Sequence, residues 1–174
     1  MDAPKINPIR KLNDERGFFE ELFRLESLPE LHSKEIQCNH SYSTEGVIRG
    51  LHFSKAPTFK IVRVIQGQVL DCVVDLRRNS TAFGLPILNE LSENKSELLI
   101  IPPGFAHAFQ VLSKSAHLIY FVNHYYNPQD DFSINPLDND LSIPWHSSID
   151  LKISKKDKEG IYWKNFCETP AFEF

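Results

Sequence analysis

A mainly β chain, closed as a jelly-roll-like barrel or two-sheet sandwich with a few short helices, is the fold class this sequence predicts. Three observations predict it. Aromatic residues are abundant, with 13 Phe, 5 Tyr and 2 Trp, types that suit pleated, half-buried surfaces. Short Val, Ile and Leu runs recur with Pro and Gly between them, the rhythm of a sandwich or barrel. Helical signals are few. The chain has 174 residues, and chains of about 150 residues bury roughly 68–70% of the surface their unfolded forms expose. One domain over residues 1–174, with its own core and no staples, is expected.

In chain order, strands are expected at residues 17–23, 36–42, 47–53, 97–101, 108–112 and 116–122. The clearest element lies between them at residues 60–77, where KIVRVI, the turn Gln66-Gly67-Gln68 and VLDCVVDLR read as a hairpin. In its second arm Leu70, Cys72, Val74 and Leu76 alternate with a face carrying Asp71, Asp75 and Arg77. A face of that kind meets solvent or lines a polar cavity. Residues 25–31 suit a turn or two of helix, and Ser154-Lys155-Lys156-Asp157 reads as a capping box opening a short helix.

The charge balance, Lys+Arg 19 against Asp+Glu 23, argues against a nucleic-acid partner, whose affinity comes from many Lys/Arg–phosphate contacts. A small anionic ligand held by a few arginines is compatible with it. Cys38, Cys72 and Cys167 are odd in number and lack Cys-x-x-Cys spacing, so they read as free thiols of a reducing compartment. The N-terminal residues carry no apolar signal segment, and no run reaches the ~20 apolar residues of a membrane span. A cytoplasmic protein with no membrane partner is expected, and the glycosylation-like triplets at Asn39, Asn79 and Asn94 then carry no meaning.

Two of the seven histidines stand in notable company. His52 follows Arg49 and Gly50, with Lys60 opening the next strand, and Pro102-Pro103-Gly104 is a rigid turn that delivers His107. A histidine base beside a lysine and an arginine suits proton abstraction next to a carbonyl, with the cations holding the developing negative charge. A straight strand would send Arg49 and His52 to opposite faces because their separation is odd. A bulge at Gly50 is expected to bring both into one cavity.

The residues carrying a family resemblance are Asp14 to Glu21 (DERGFFEE), Gln37 to Ser41 (QCNHS), Gly46 to Phe53 (GVIRGLHF), Lys60 to Arg63, Gly67 to Arg77, Ser80 to Gly84, Leu91 to Asn94, Ile101 to Phe109, Tyr120, Tyr125-Tyr126 and Ser154 to Asp157. Across nearly its whole length the chain resembles the dTDP-4-dehydrorhamnose 3,5-epimerase family. The resemblance implies a cupin-type jelly roll that uses no cofactor and no metal, forms a homodimer with exchange of its N-terminal strands, and acts on a nucleotide-diphosphate sugar carrying a 4-keto group. It places His52 on the general base, Asp157 on the carboxylate orienting it, Lys60 at the enolate oxygen and Tyr120 on the general acid. It also places His107 and Asp71 against the sugar, and Arg16, Gln37, Asn39 and Arg49 on the diphosphate and ribose, with Arg16 reaching a neighbouring subunit's site. Glu21 falls on an acceptor for the base N–H, and Phe19 or Tyr125 on a stacking surface for the ring.

A metal cupin, which needs His-x-His on one strand, is not expected, because His52-Phe53-Ser54 lacks the second histidine. Ser54, Phe121, Ala108 and Pro136-Leu137 depart from the family pattern and are expected to cluster where sugar and base sit. Alternatives therefore stand beside the main reading: a GDP-linked 4-keto-6-deoxy-heptose epimerase, an epimerase acting at C3 or C5 alone, and a nucleotide-sugar-binding barrel without catalysis.

Overall fold

The computed structural model describes residues 3–28 and 35–172. Its strands are β1 (Lys5–Pro8), β2 (Lys11–Asp14), β3 (Gly17–Glu20), β4 (Gln37–Thr44), β5 (Val47–Phe53), β6 (Lys60–Gln66), β7 (Gln68–Asp75), β8 (Pro86–Ser92), β9 (Glu97–Ile101), β10 (Phe105–Val111), β11 (Ser115–Val122), β12 (Phe132–Ser133) and β13 (Lys152–Ile153). Two short helices follow, α1 (Lys155–Lys158) and α2 (Trp163–Glu168). One sheet runs β1-β9-β6-β11-β4, and the other runs β12-β5-β10-β7-β8 with β13 beside β5. The β2–β3 hairpin joins neither. Among the described residues no helix is long and apolar enough to cross a membrane.

Alternation along the strands decides what each face covers. Val62, Val64, Leu99 and Leu118 from the first sheet meet Val69, Val73 and Phe109 from the second in the central core. On the outer face of the second sheet, Leu51, Cys72, Val74 and Ala106 lie under the C-terminal segment, with Phe166 and Phe172 packed on them. The outer face of the first sheet buries Ile61, Leu98 and Ile100 beneath Leu28.

The hairpin expected at residues 60–77 is not one. β6 pairs with β9 and β11, whereas β7 pairs with β8 and β10. Only Gly67 separates the two strands, too little for the two-residue loop of a paired hairpin, so the chain turns a corner from one sheet into the other. Gly67 has φ +84°, and a Cβ there would lie 2.2 Å from the Ser115 carbonyl oxygen. On the expected charged face both aspartates are buried and Arg77, just past β7, is half-buried: Asp71 enters the space between the sheets, and Asp75 ties down the following turn through Arg77 and Ser80.

β5 and β9 match their expected bounds, while the strand expected at 17–23 ends at Glu20. β1, β2 and β8 were not expected; β1 and β2 are short and polar, and β8 opens on a proline at a sheet edge. Of the helix expected at 25–31, Leu25–Ser27 form a single 3₁₀ turn and residues 29–31 lie outside the described residues. Ser154 caps α1, accepting from the Asp157 backbone N–H at 3.0 Å.

The bulge at Gly50 is present. His107 of β10 faces His52 and Phe109 faces Arg49, so two steps along β10 match three along β5. The extra residue lets Leu51 point outward while Arg49 and His52 both line the interior. Gly50 has φ +117°, and a Cβ would meet the His107 carbonyl oxygen at 2.4 Å. A Gly50→Ala substitution is therefore expected to cost more than about 1 kcal/mol, read by calorimetry as a drop in Tm of at least about 2–4 °C. An unchanged Tm would show that the bulge tolerates a side chain.

Candidate active site

Between the two sheets lies a cleft with an outer lobe of about 270 Å³ and an inner lobe of about 160 Å³. His52, Lys60 and Tyr120 are the residues both lobes share. The sheets contribute to opposite walls. β4 presents Gln37, Asn39 and Ser41 at period two, β11 presents Tyr120 and β6 presents Lys60; β5 supplies Arg49 and His52, and β10 supplies His107.

His52 Nε2 donates to Asp157 Oδ1 at 2.6 Å, which leaves Nδ1 as the basic nitrogen. Asp157 is buried and also accepts from the Ser133 hydroxyl at 3.1 Å. Burial alone would raise its carboxyl, but the hydrogen bond and charge of His52 and the hydroxyls of Ser154 and Ser133 outweigh that and hold it below the usual carboxylate range. The capping and orienting roles do not compete, because the backbone of Asp157 serves the cap and its side chain serves the histidine.

His107 mirrors this arrangement. Directly opposite His52 in the β5–β10 register, it donates from Nε2 to Asp71 Oδ2 at 2.6 Å. Among the described residues the other oxygen of Asp71 and the Ser41 hydroxyl have no hydrogen-bond partner in the protein, and Ser41 lines the inner lobe, where a bound polar group can satisfy it. Both histidines thus spend Nε2 on a carboxylate, an arrangement suited to moving protons.

Lys60 is half-buried, and the protein around it opposes the ammonium strongly enough to lower its pKa to about 8, against the attraction of Asp131 and Asp71. Burial also raises the Tyr120 phenol, Arg49 counteracting and Asp131 reinforcing, so Tyr120 stays protonated. Asp131 lines the outer lobe and is paired with Lys156 at 2.5 Å. Asp131, Thr58 and His124 lie in loops without a periodic signal and were not expected at the site; Lys156, in α1, and Tyr126 fall within segments that carry the family resemblance but had no expected role.

Arg49 donates from Nε to Ser43 Oγ at 2.8 Å and from Nη2 to the Tyr42 carbonyl at 3.2 Å, which sets its direction. Gln37 donates to Asn39 Oδ1 at 2.7 Å and accepts from the Tyr126 backbone N–H at 2.8 Å. Tyr125 lines neither lobe; its neighbour Tyr126 lines the outer one. Arg16, Phe19 and Glu21 are also outside the cleft of their own chain, Arg16 pairing with Asp14 at 2.6 Å and Glu21 with Arg24 at 2.8 Å.

The departures from the family pattern do not cluster as expected. Ser54 lines the cleft, where its hydroxyl donates to Asp130, and Asp130 also accepts from the backbone N–H groups of Lys55 and Ala56. Phe121 instead packs edge-on against Phe23, Ala108 is buried beside Gly50, the Pro136 carbonyl accepts from Trp145, and Leu137 faces solvent. Period two explains the first two, since Tyr120 and His107 point inward and the residues after them point outward.

The sequence model of dTDP-4-dehydrorhamnose 3,5-epimerase matches residues 2–165. The dTDP-4-dehydrorhamnose 3,5-epimerase of Methanothermobacter thermautotrophicus is 40% identical, over 99% of this chain and 94% of its own length. Among solved structures, dTDP-6-deoxy-D-glucose-3,5-epimerase of Legionella pneumophila, in complex with dTDP-4-keto-L-rhamnose, is 38% identical with a TM-score of 0.87, covering 93% of this chain and 88% of that one. A 3'-monoepimerase of Streptomyces bikiniensis, in complex with dTDP-quinovose, is 28% identical with a TM-score of 0.88, covering 95% and 87%. With its cupin-type jelly roll, this chain belongs to the dTDP-4-dehydrorhamnose 3,5-epimerase family.

Proposed function

We propose that this protein is an isomerase that inverts C3 and C5 of a dTDP-linked 4-keto-6-deoxy sugar by abstracting and returning protons beside the C4 ketone. The observation that carries the reading is that His52, Lys60 and Tyr120 are shared by both lobes of one cleft between the two sheets. A ketone at C4 acidifies the hydrogens on both neighbouring carbons, so one base serves either.

In each inversion His52 Nδ1 takes the proton, the C–H electron pair moves into the ring, and the C4 oxygen becomes an enolate. Asp157 stabilises the imidazolium that forms, and the Lys60 ammonium stabilises the enolate. As the carbonyl re-forms, the Tyr120 phenol delivers a proton to the opposite face. The transferred protons then equilibrate with water: His52 loses one and Tyr120 regains one. Burial, which keeps the phenol protonated, supports this direction of transfer. Arg49, Gln37 and Asn39 bind the diphosphate and ribose, and His107 and Asp71 hold the sugar.

The nucleotide end is completed in a homodimer. Arg16, Phe19 and Glu21 sit on or beside a hairpin that belongs to neither sheet and stand clear of their own cleft. Two copies that exchange N-terminal segments bring these residues to each other's sites.

Incubation of dTDP-4-keto-6-deoxyglucose in heavy water, followed by NMR, is expected to give deuterium at both C3 and C5. Exchange at one carbon would make the chain a monoepimerase, and no exchange would make it a binding barrel. For His52→Asn, exchange is expected to fall at least about 10³-fold with the fold retained, within the usual range for a general base. For Tyr120→Phe, exchange should survive while inversion at C5 is lost; wild-type inversion by this variant would contradict the acid role. The pH profile carries a further sign. The Lys60 charge is present below about pH 8 and lost above it, so kcat/KM, which reports groups of the free protein, should fall as pH rises through about 8, and a value still climbing through pH 9 would remove Lys60 from the enolate.

A further inference from the structure

The β2–β3 hairpin pairs with neither sheet. Every residue of β3 except Glu20 is exposed, and Phe18 and Phe19 face solvent. The Glu20 side chain is 7% exposed and pairs with Arg63, itself 4% exposed, through Nη2 at 3.1 Å. Ser96 Oγ donates to Glu20 at 2.6 Å, and Lys11 lies at 3.8 Å. Arg63 Nη1 donates to the carbonyls of Val64, Ser92 and Lys95, so one guanidinium joins β6, the β8–β9 turn and the hairpin.

A buried ion pair is a poor device for stability, because desolvation of both charges offsets their attraction and apolar residues of similar volume often do as well. Among the described residues Arg63 Nε is in addition buried without a partner. What such a pair supplies is direction. We propose that Arg63–Glu20 is a positioning pair, which fixes the angle at which the hairpin leaves the barrel and hence where Arg16, Phe19 and Glu21 arrive at the nucleotide end of a second copy's cleft. The inference rests on the dimer reading above. At about 3.4 Å per residue Arg16 lies roughly 14 Å along the strand from Glu20, so a tilt of about 10° at the anchor moves it about 2 Å, enough to break a phosphate contact.

The test is steady-state kinetics on the full chain with dTDP-4-keto-6-deoxyglucose, alongside thermal unfolding. Glu20→Ala is expected to raise KM about tenfold with kcat within twofold, and Glu20→Gln, which keeps an acceptor for Ser96 and Arg63, to bring KM back to within about threefold of wild type. A double variant, Glu20→Leu with Arg63→Met, replaces the pair by apolar volume; it should fold and still show the raised KM, and it serves if Glu20→Ala fails to fold. Wild-type KM in a folded variant, or a loss of kcat without a change in KM, overturns the positioning role. Arg16→Ala separates the two levels. A raised KM there with a normal KM in the Glu20 variants overturns the pair alone, whereas a normal KM in both overturns the hairpin's part in the site.

Discussion

Arg49 and His52 lie three positions apart, and an extended chain can present both to one cavity only by absorbing one extra residue. β5 does so at Gly50, in a conformation of positive φ packed against the His107 backbone. From this single irregularity the rest of the cleft follows. It sets His52 directly across from His107, lets Leu51 seal the outer face of the sheet, and brings Arg49 to the wall of the inner lobe. The strand pays no lasting penalty in hydrogen bonding there, since Leu51 exchanges backbone bonds with Ile134.

Around that frame the charges are arranged so that each compensates another incompletely. Asp157 and Asp71 each hold a histidine; Asp131 and Asp71 attract Lys60 yet leave its ammonium destabilised by burial. A lysine so placed gains most from a neighbour that becomes negative during a reaction, because the new charge relieves a penalty already present in the resting protein. The same burial keeps the Tyr120 phenol protonated. In the proposed mechanism one desolvating cleft thus holds a cation ready to meet an enolate and an acid ready to quench it.

Local chemistry was legible in the sequence where it was decided locally. The strand at 47–53, the glycine at its bulge and the cap at Ser154 all rest on residues a few positions apart, and each appears in the structure. Pairing was not legible. KIVRVI and VLDCVVDLR look like two arms of one hairpin, yet each is buried along most of its length and becomes an inner strand of a different sheet. The partner of His52 lies 105 residues away, so its identity came from family resemblance and not from spacing. Asp131 gave no signal at all, because its influence on Lys60 and Tyr120 depends on a loop folding back over the cleft. The family departures misled for a simpler reason: adjacency in sequence to a cavity residue means, on a strand, facing the other way.

The proposed mechanism requires that His52 and Tyr120 approach a single sugar ring from opposite faces with Lys60 at its C4 oxygen. A crystal structure of the chain with a dTDP-linked 4-keto-6-deoxy sugar tests it most directly. The expected density places C5 between His52 Nδ1 and the Tyr120 hydroxyl, each within about 3.5 Å of it, and the C4 oxygen within hydrogen-bond reach of Lys60. A ring with both groups on the same face, or one bound out of reach of His52, would contradict the mechanism.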